Sequence, residues 1–207
     1  KDPNSLEIIK TASNLGFKQY RMGWLDYPEN ASIPESITTF KKLFSNLEEL
    51  NKLYGITGVY QNHAGLHVGA PIWDLEPLVA NLDPNFMGLQ YDIRHAVVEG
   101  GTSWELGLQL IHEHIQTIVI KDFKWGIEDG KWVPINVPLG EGMVDFKKYF
   151  MLLKKLGIQN PPISLHCEHD LGGAEKGNTT ITISKEEVFK RIKKDLEFLQ
   201  NIWSQID

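Results

Sequence analysis

The stretch Phe86-Met87-Gly88-Leu89-Gln90-Tyr91-Asp92-Ile93-Arg94-His95 begins as an apolar run of strand length and turns ionisable at its C-terminal end. The same switch recurs in residues 17–24, 56–63, 117–123 and 163–169, which makes five strand candidates. Between and around them lie amphipathic segments of helix length at 4–15, 34–54, 72–81, 103–115, 145–156 and 184–203. Strand and helix patterns alternating in this order predict βα units around a parallel sheet. The punctuation agrees: Gly16, Gly55 and Gly157 sit where a helix-ending residue belongs, and Ser184 with Glu187 has the spacing of a capping box. Between the fourth and fifth strands, Trp125-Gly126-Ile127-Glu128-Asp129-Gly130-Lys131-Trp132 predicts a hairpin turning at Asp129-Gly130. A Gly-rich loop at 171–178 follows the last strand. With no internal repeat or linker, residues 1–207 are expected to form a single domain.

An eight-stranded βα barrel needs roughly 250 residues. This chain opens on a helix and has five strands after it, so the expected fold is a parallel (β/α)8 TIM barrel lacking its first three strands. An open parallel edge would invite association. That favours a longer parent chain and keeps a homo-oligomer among the expectations.

The chain is 42% hydrophobic and 23% charged, with net charge −6, which suits a globular protein and offers no general attraction to nucleic acid or to an anionic membrane surface. Cys167 is the only cysteine, so neither an internal disulfide nor a CxxC pair can form. No apolar run approaches the roughly 20 residues that span a bilayer. The opening Lys1-Asp2-Pro3-Asn4-Ser5 has no signal-peptide character. A soluble cytoplasmic or periplasmic protein is expected.

Alternate residues of a barrel strand face the interior, and those near its C-terminal end line the active site. By that parity Gln61 and His63 share a side, as do Val119 and Lys121, and as do His166, Glu168 and Asp170. Asp92 ends the third strand, with His95 just beyond. Gln61, Asp92, Lys121 and Glu168 are therefore expected to converge on one pocket. A polar strand-end site of this kind suits a small polar substrate.

In this order and spacing, Gln61-Asn62-His63, Asp92-Ile93-Arg94-His95, Ile120-Lys121-Asp122 and Glu168-His169-Asp170 resemble the last four strand motifs of the xylose-isomerase-like barrels, the sugar phosphate isomerase/epimerase group. The resemblance covers nearly the whole chain. It implies a carbohydrate substrate and a divalent metal held by a glutamate, an aspartate, a histidine and a second glutamate, the two glutamates moving a proton beside a carbonyl. Asp92 and Glu168 match that pattern. Gln61 stands where the first glutamate is expected and Val119 where the histidine is, so the two-glutamate shuttle cannot run unchanged. Gln61, Asp92 and Glu168, with His95 beside them, remain a candidate site for Mg²⁺ or Mn²⁺. Alternatively, the Lys121 ammonium replaces the metal's charge while Glu168 acts as the surviving base. Arg21, Trp24, His63, Arg94 and His95 are candidate substrate contacts.

Plainer readings stand beside these. Asp92 and Glu168 could be structural ion pairs with Lys121 or Arg94, and Lys121 could pair with its neighbour Asp122. His166 reads as a deeper, structural residue, and His112 and His114 as solvated. The glycines at 171–178 could offer backbone N–H groups to a phosphate. Tyr149, Phe150 and Phe198 read as helix-face core. The functional expectation is a sugar or keto-sugar isomerase, epimerase or related lyase, against the alternative of a catalytically weakened carbohydrate-binding relative.

Overall fold

Punctuation read from the sequence sets the ends of the longest helices in the computed structural model, which describes residues 4–206; Lys1, Asp2 and Pro3 of the opening stretch, and Asp207, lie outside the described residues. Two compact units, Lys1–Ile118 and Val119–Asp207, divide the chain.

The first unit contains α1 (Ser5–Asn14), β1 (Gln19–Arg21), α2 (Ile33–Tyr54), β2 (Thr57–Gln61), α3 (Glu76–Val79), β3 (Met87–Asp92), α4 (Ile93–Gly100) and α5 (Trp104–Ile111), and ends within β4 (Ile115–Ile120). A reciprocal capping box between Ser32 and Glu35 opens α2, and Gly55 at φ 59° closes it in the left-handed conformation that an L side chain resists. Its Phe40 and Phe44 are buried, with Phe44 5.5 Å from the Tyr60 ring of β2. β1 pairs with β2 and β2 with β3, all parallel, in a register that sets Arg21 beside Val59 and Gln61 beside Gln90. Gly88 of β3 lies so close to the start of β4 that a Cβ would come within 2.3 Å of the Gln116 Cγ.

Two expected helices are shorter than their periodicity suggests, and one helix was not expected. Residues 72–81 form a 3₁₀ turn, Ile72–Asp74, and then the four-residue α3. Pro77 lacks the N–H that would join the two into one α-helix. Residues 103–115 give α5 followed by a 3₁₀ turn, His112–His114, because Ile115 is already extended as the first residue of β4. The unexpected element is α4: Asp92 ends β3 and at the same time caps this helix, its carboxylate accepting the His95 N–H at 3.2 Å.

The second unit takes in the end of β4, then β5 (Asp122–Glu128), β6 (Lys131–Val137), α6 (Phe146–Lys155), β7 (Ile163–Leu165) and α7 (Lys185–Ser204). β5 and β6 form the expected hairpin, paired from Asp122↔Val137 to Glu128↔Lys131. Its turn residues Asp129 and Gly130 have φ 50° and 74°, the left-handed pair that matches the twist of a two-residue hairpin. Ser184 caps α7 by accepting the Glu187 N–H, as its spacing predicts. Tyr149 and Phe150 are fully buried, and Phe198 meets Phe146 edge-on at 5.9 Å.

β7 ends earlier than expected. The His166 N–H still reaches the Ile120 carbonyl at 3.0 Å, but the Glu168 N–H turns back to the His166 carbonyl. Strand parity therefore does not extend through His166, Glu168 and Asp170. The Asp170 side chain is 84% exposed beside Arg191. No helix among the described residues is long and apolar enough to cross a membrane.

Candidate functional site

The ends of β1, β2 and β3 bring five of the expected residues into one chain of contacts in the first unit. Arg21 Nη1 donates to Gln61 Oε1 at 3.0 Å, and Gln61 Nε2 donates to Asp92 Oδ2 at 2.9 Å. Charge fixes the amide's orientation: its oxygen faces a guanidinium and its N–H a carboxylate, and a flip would make both contacts repulsive. Gln61 and Asp92 are both buried. Asn62 completes the junction, accepting the Asp92 N–H at 2.7 Å and donating to the Asp92 carbonyl at 3.0 Å. A guanidinium can only donate, so the 3.1 Å contact from Arg94 Nη1 makes His95 Nδ1 an acceptor. The imidazole proton then sits on Nε2, which faces Asp92 Oδ2 at 3.5 Å.

Rings cover this polar chain. His63 lies 4.0 Å from His95 and 4.6 Å from Trp24, centroid to centroid. Its Nδ1 is 2.8 Å from the Ala64 carbonyl, so that nitrogen donates. Trp24 carries Arg21 over its ring at 4.7 Å and stacks on His67, whose Nδ1 meets Asp26 Oδ1 at 2.5 Å.

In the second unit Lys121 and Glu168 come together. Lys121 Nζ lies 3.0 and 3.1 Å from the two Glu168 oxygens. His166 Nδ1 is 3.3 Å from Oε1, and Asn136 of β6 donates to Oε2 at 3.3 Å. The pair is asymmetric: the lysine side chain is 4% exposed and the glutamate 40%. Burial works to raise the Glu168 pKa, but the His166 hydrogen bond and the Lys121 charge outweigh it and hold the carboxyl at about 2. Val119 is fully buried.

Four plain readings are corrected in the process. Lys121 does not pair with Asp122, whose carboxylate instead accepts backbone N–H groups from Phe123, Gly140, Gly142 and Val144, at 2.8 to 3.1 Å. His166 is not deep: its side chain is 28% exposed, at the carboxylate. His114 is half-buried rather than solvated, and desolvation pulls its imidazole below the ordinary value. In the Gly-rich loop the N–H groups of Leu171 and Gly173 go to Glu175, and that of Gly172 to Asp170, so a phosphate would meet carboxylates there.

Asn62, His67 and Asn136 were not singled out from the sequence. Asn62 has the opposite strand parity to its neighbours, and Asn136 lies on a hairpin strand far from any motif. Asn136 also lines a cleft of about 840 Å³ between the hairpin and α7, along with Lys124, His169 and Arg191. His169 is fixed there by Asp195 at 2.7 Å, an interaction that raises its pKa.

The divalent metal implied by the sequence resemblance does not fit these donors. The amide oxygen of Gln61 already serves a cation, Arg21. Both Glu168 oxygens serve another, Lys121. Asp92 uses Oδ1 as a helix cap and Oδ2 for the Gln61 amide, and Val119 has no donor atom. Among the described residues no three His, Cys, Asp or Glu side chains are grouped so as to hold a metal ion.

A family model described as xylose isomerase-like TIM barrel matches residues 5–202. Among solved structures, a xylose isomerase domain protein from Planctomyces limnophilus is similar with a TM-score of 0.65 at 19% identity, over 97% of this chain and 63% of that one. The IolI protein with a bound zinc atom gives 0.71 at 16% identity, over 98% and 68%. A 3-keto-D-glucoside 4-epimerase from E. coli gives 0.62 at 13% identity, over 95% and 68%. At these identities the likeness shows the fold, and the chain spans 63 to 68% of the length of these three proteins. No curated protein sequence matches.

Proposed function

The chain belongs to the xylose isomerase-like TIM barrel family, and on that premise we propose that it acts on a small sugar or keto-sugar as an isomerase or related lyase, by removing the proton beside a carbonyl. The observation that carries this reading is the Lys121–Glu168 pair, a buried ammonium chelated by a carboxylate that reaches solvent. A carbonyl oxygen that accepts from Lys121 Nζ weakens its hold on Glu168, and the carboxylate's basicity rises from its resting low value. Glu168 then takes the C–H proton, the C–H electron pair forms the enolate double bond, and the carbonyl π electrons pass to the oxygen facing Lys121.

With Gln61 in place of a second carboxylate, one base both removes and returns the proton. That suits transfer to the neighbouring carbon or elimination, and disfavours epimerisation, which requires a proton delivered to the opposite face. In the first unit, Arg21, Trp24, His63, Arg94 and His95 are assigned to recognition, for which they offer hydroxyl partners and apolar ring surface. The similarity to a keto-glucoside epimerase supports the substrate class, and no member of the set is assigned a metal.

Solvent deuterium incorporation at the carbonyl-adjacent carbon, screened across keto-sugars by NMR, tests the reading. Wild type should exchange, and Glu168→Gln should lose exchange by about 100-fold or more. Undiminished exchange in Glu168→Gln would remove Glu168 as the base. One observation favours a second reading, a carbohydrate-binding relative without turnover: both Glu168 oxygens are held by Lys121, with His166 and Asn136 beside them, and these contacts keep the carboxyl well below the basicity that proton abstraction at neutral pH calls for. Saturable sugar binding by calorimetry with no exchange in any sugar would select it.

A further inference from the structure

We propose that this chain dispenses with the divalent cation of its family: in the first unit Arg21 takes the ligating oxygen of Gln61, and in the second Lys121 takes both oxygens of Glu168 and supplies a positive charge of its own. The claim that those cations serve catalysis rests on the sugar-chemistry reading above; the claim that they displace the ion does not.

Each unit supports it separately. In the first, a glutamine replaces a carboxylate and Arg21 takes its one ligating atom, Oε1, at 3.0 Å. An ion at that oxygen would have to displace the guanidinium and then bind a neutral ligand, with Asp92 as the only carboxylate in the chain Arg21–Gln61–Asp92. Rotating the amide to release its oxygen would turn its N–H groups on Arg21 and its oxygen on Asp92. The substitution and its guanidinium partner form one device: together they carry a positive charge where the family pattern has a negative ligand. Exposure of Arg21 keeps the desolvation cost of that charge low.

In the second unit the expected histidine ligand is Val119, fully buried and unable to coordinate. Lys121, two residues on, chelates Glu168 through both oxygens. An ion binding Glu168 would have to share it with a buried ammonium or drive that ammonium off its carboxylate. Both are costly, since the lysine side chain is only 4% exposed. An ammonium is also a hydrogen-bond donor, so it can stabilise an enolate oxygen without any ligand set.

The test is metal binding by the chain of residues 1–207, read by calorimetry and by the EPR signal of free Mn²⁺, with no substrate present. Wild type should show no stoichiometric complex and no thermal shift at about 1 mM Mn²⁺. Gln61→Glu should show none either, because Arg21 pairs with the new carboxylate. Lys121→Met, which frees Glu168, should raise Mn²⁺ affinity by about tenfold or more. A one-to-one wild-type complex with Kd below about 100 μM that Asp92→Asn or Glu168→Gln abolishes would overturn the proposal. Failure of Lys121→Met to gain affinity, with its circular dichroism unchanged, would overturn the role given to Lys121. Sugar exchange stimulated by Mn²⁺ counts against this inference alone, whereas exchange with no sugar, with or without metal, counts against the sugar-chemistry reading alone.

Discussion

Glu168 and Lys121 are partners of unequal burial, and the inequality sets what their replacement should do. Glu168→Gln takes the chelating carboxylate away from a lysine side chain that is 4% exposed, whereas Lys121→Met leaves a carboxylate that is 40% exposed and can be hydrated. Taking the carboxylate from the buried lysine should cost about 2–3 kcal/mol, and taking the lysine from the half-exposed carboxylate about 1 kcal/mol or less. Urea unfolding of the two variants at neutral pH measures the difference, and equal losses would contradict the burial argument. The pH dependence has a definite sign. Burial pushes the Glu168 carboxyl up, His166 and Lys121 pull it down further, and it rests at about 2 against an ordinary 4.5. A folded-state pKa below the unfolded one means that the ionised carboxylate's contribution is complete above about pH 5 and fades as the pH falls from 4.5 toward 2. The stability gap between wild type and Glu168→Gln should therefore narrow steadily as the pH falls below about 5.

Strand ends in this chain double as starts of other structure, and that is where substitutions should separate local from chemical roles. Asp92 closes β3 and caps α4. Asp92→Asn keeps an oxygen for the His95 N–H, while Asp92→Ala loses the cap, so alanine should be less stable than asparagine by about 1 kcal/mol in thermal or urea unfolding. At the start of β5, Asp122 gathers four backbone N–H groups and pins the segment from Gly140 to Val144. Gly142 has no space for a side chain there: a Cβ would lie 2.2 Å from Asp122 Oδ1 and 2.4 Å from the Phe123 carbonyl. Gly142→Ala must move backbone or break the carboxylate cluster, and should cost about 1–3 kcal/mol. Gly130→Ala gives the comparison, since nothing crowds its Cβ and only its positive φ of 74° resists the change. The larger loss should fall at Gly142.

At the scale of the molecule, β1 pairs only with β2 among the described residues and leaves one parallel edge without a partner. Unpaired N–H and C=O groups on an edge template association. The chain of residues 1–207 should accordingly sediment as species larger than a monomer as its concentration rises into the range of tens of micromolar, and charged substitutions on β1 such as Tyr20→Lys should reduce that association. A monomer at every concentration would show that the edge is protected in some other way. The net charge of −6 opposes association only weakly at physiological salt, where charges beyond about 8 Å are screened.

Alternating strand and helix patterns, the glycines that end helices and the Asp129-Gly130 turn determined by themselves that this is a parallel α/β chain with one inserted hairpin, because periodicity and backbone preference are local properties. The same locality made Asp92, Lys121 and Glu168 stand out as ionisable residues after apolar strands. Sequence offered Glu168 a pair with Lys121 and Lys121 a pair with Asp122, and what it could not supply was the choice between such partners. Lys121 has an acidic neighbour in Asp122, yet it bonds across 47 residues to Glu168 while Asp122 turns to backbone N–H groups. Gln61 reads as a lost ligand, and only the approach of Arg21 from a neighbouring parallel strand turns it into a clamp between a cation and Asp92. Hydrogen bonding and desolvation depend on which strands lie side by side, and so the charge state and ligand capacity of these residues were decided by tertiary structure.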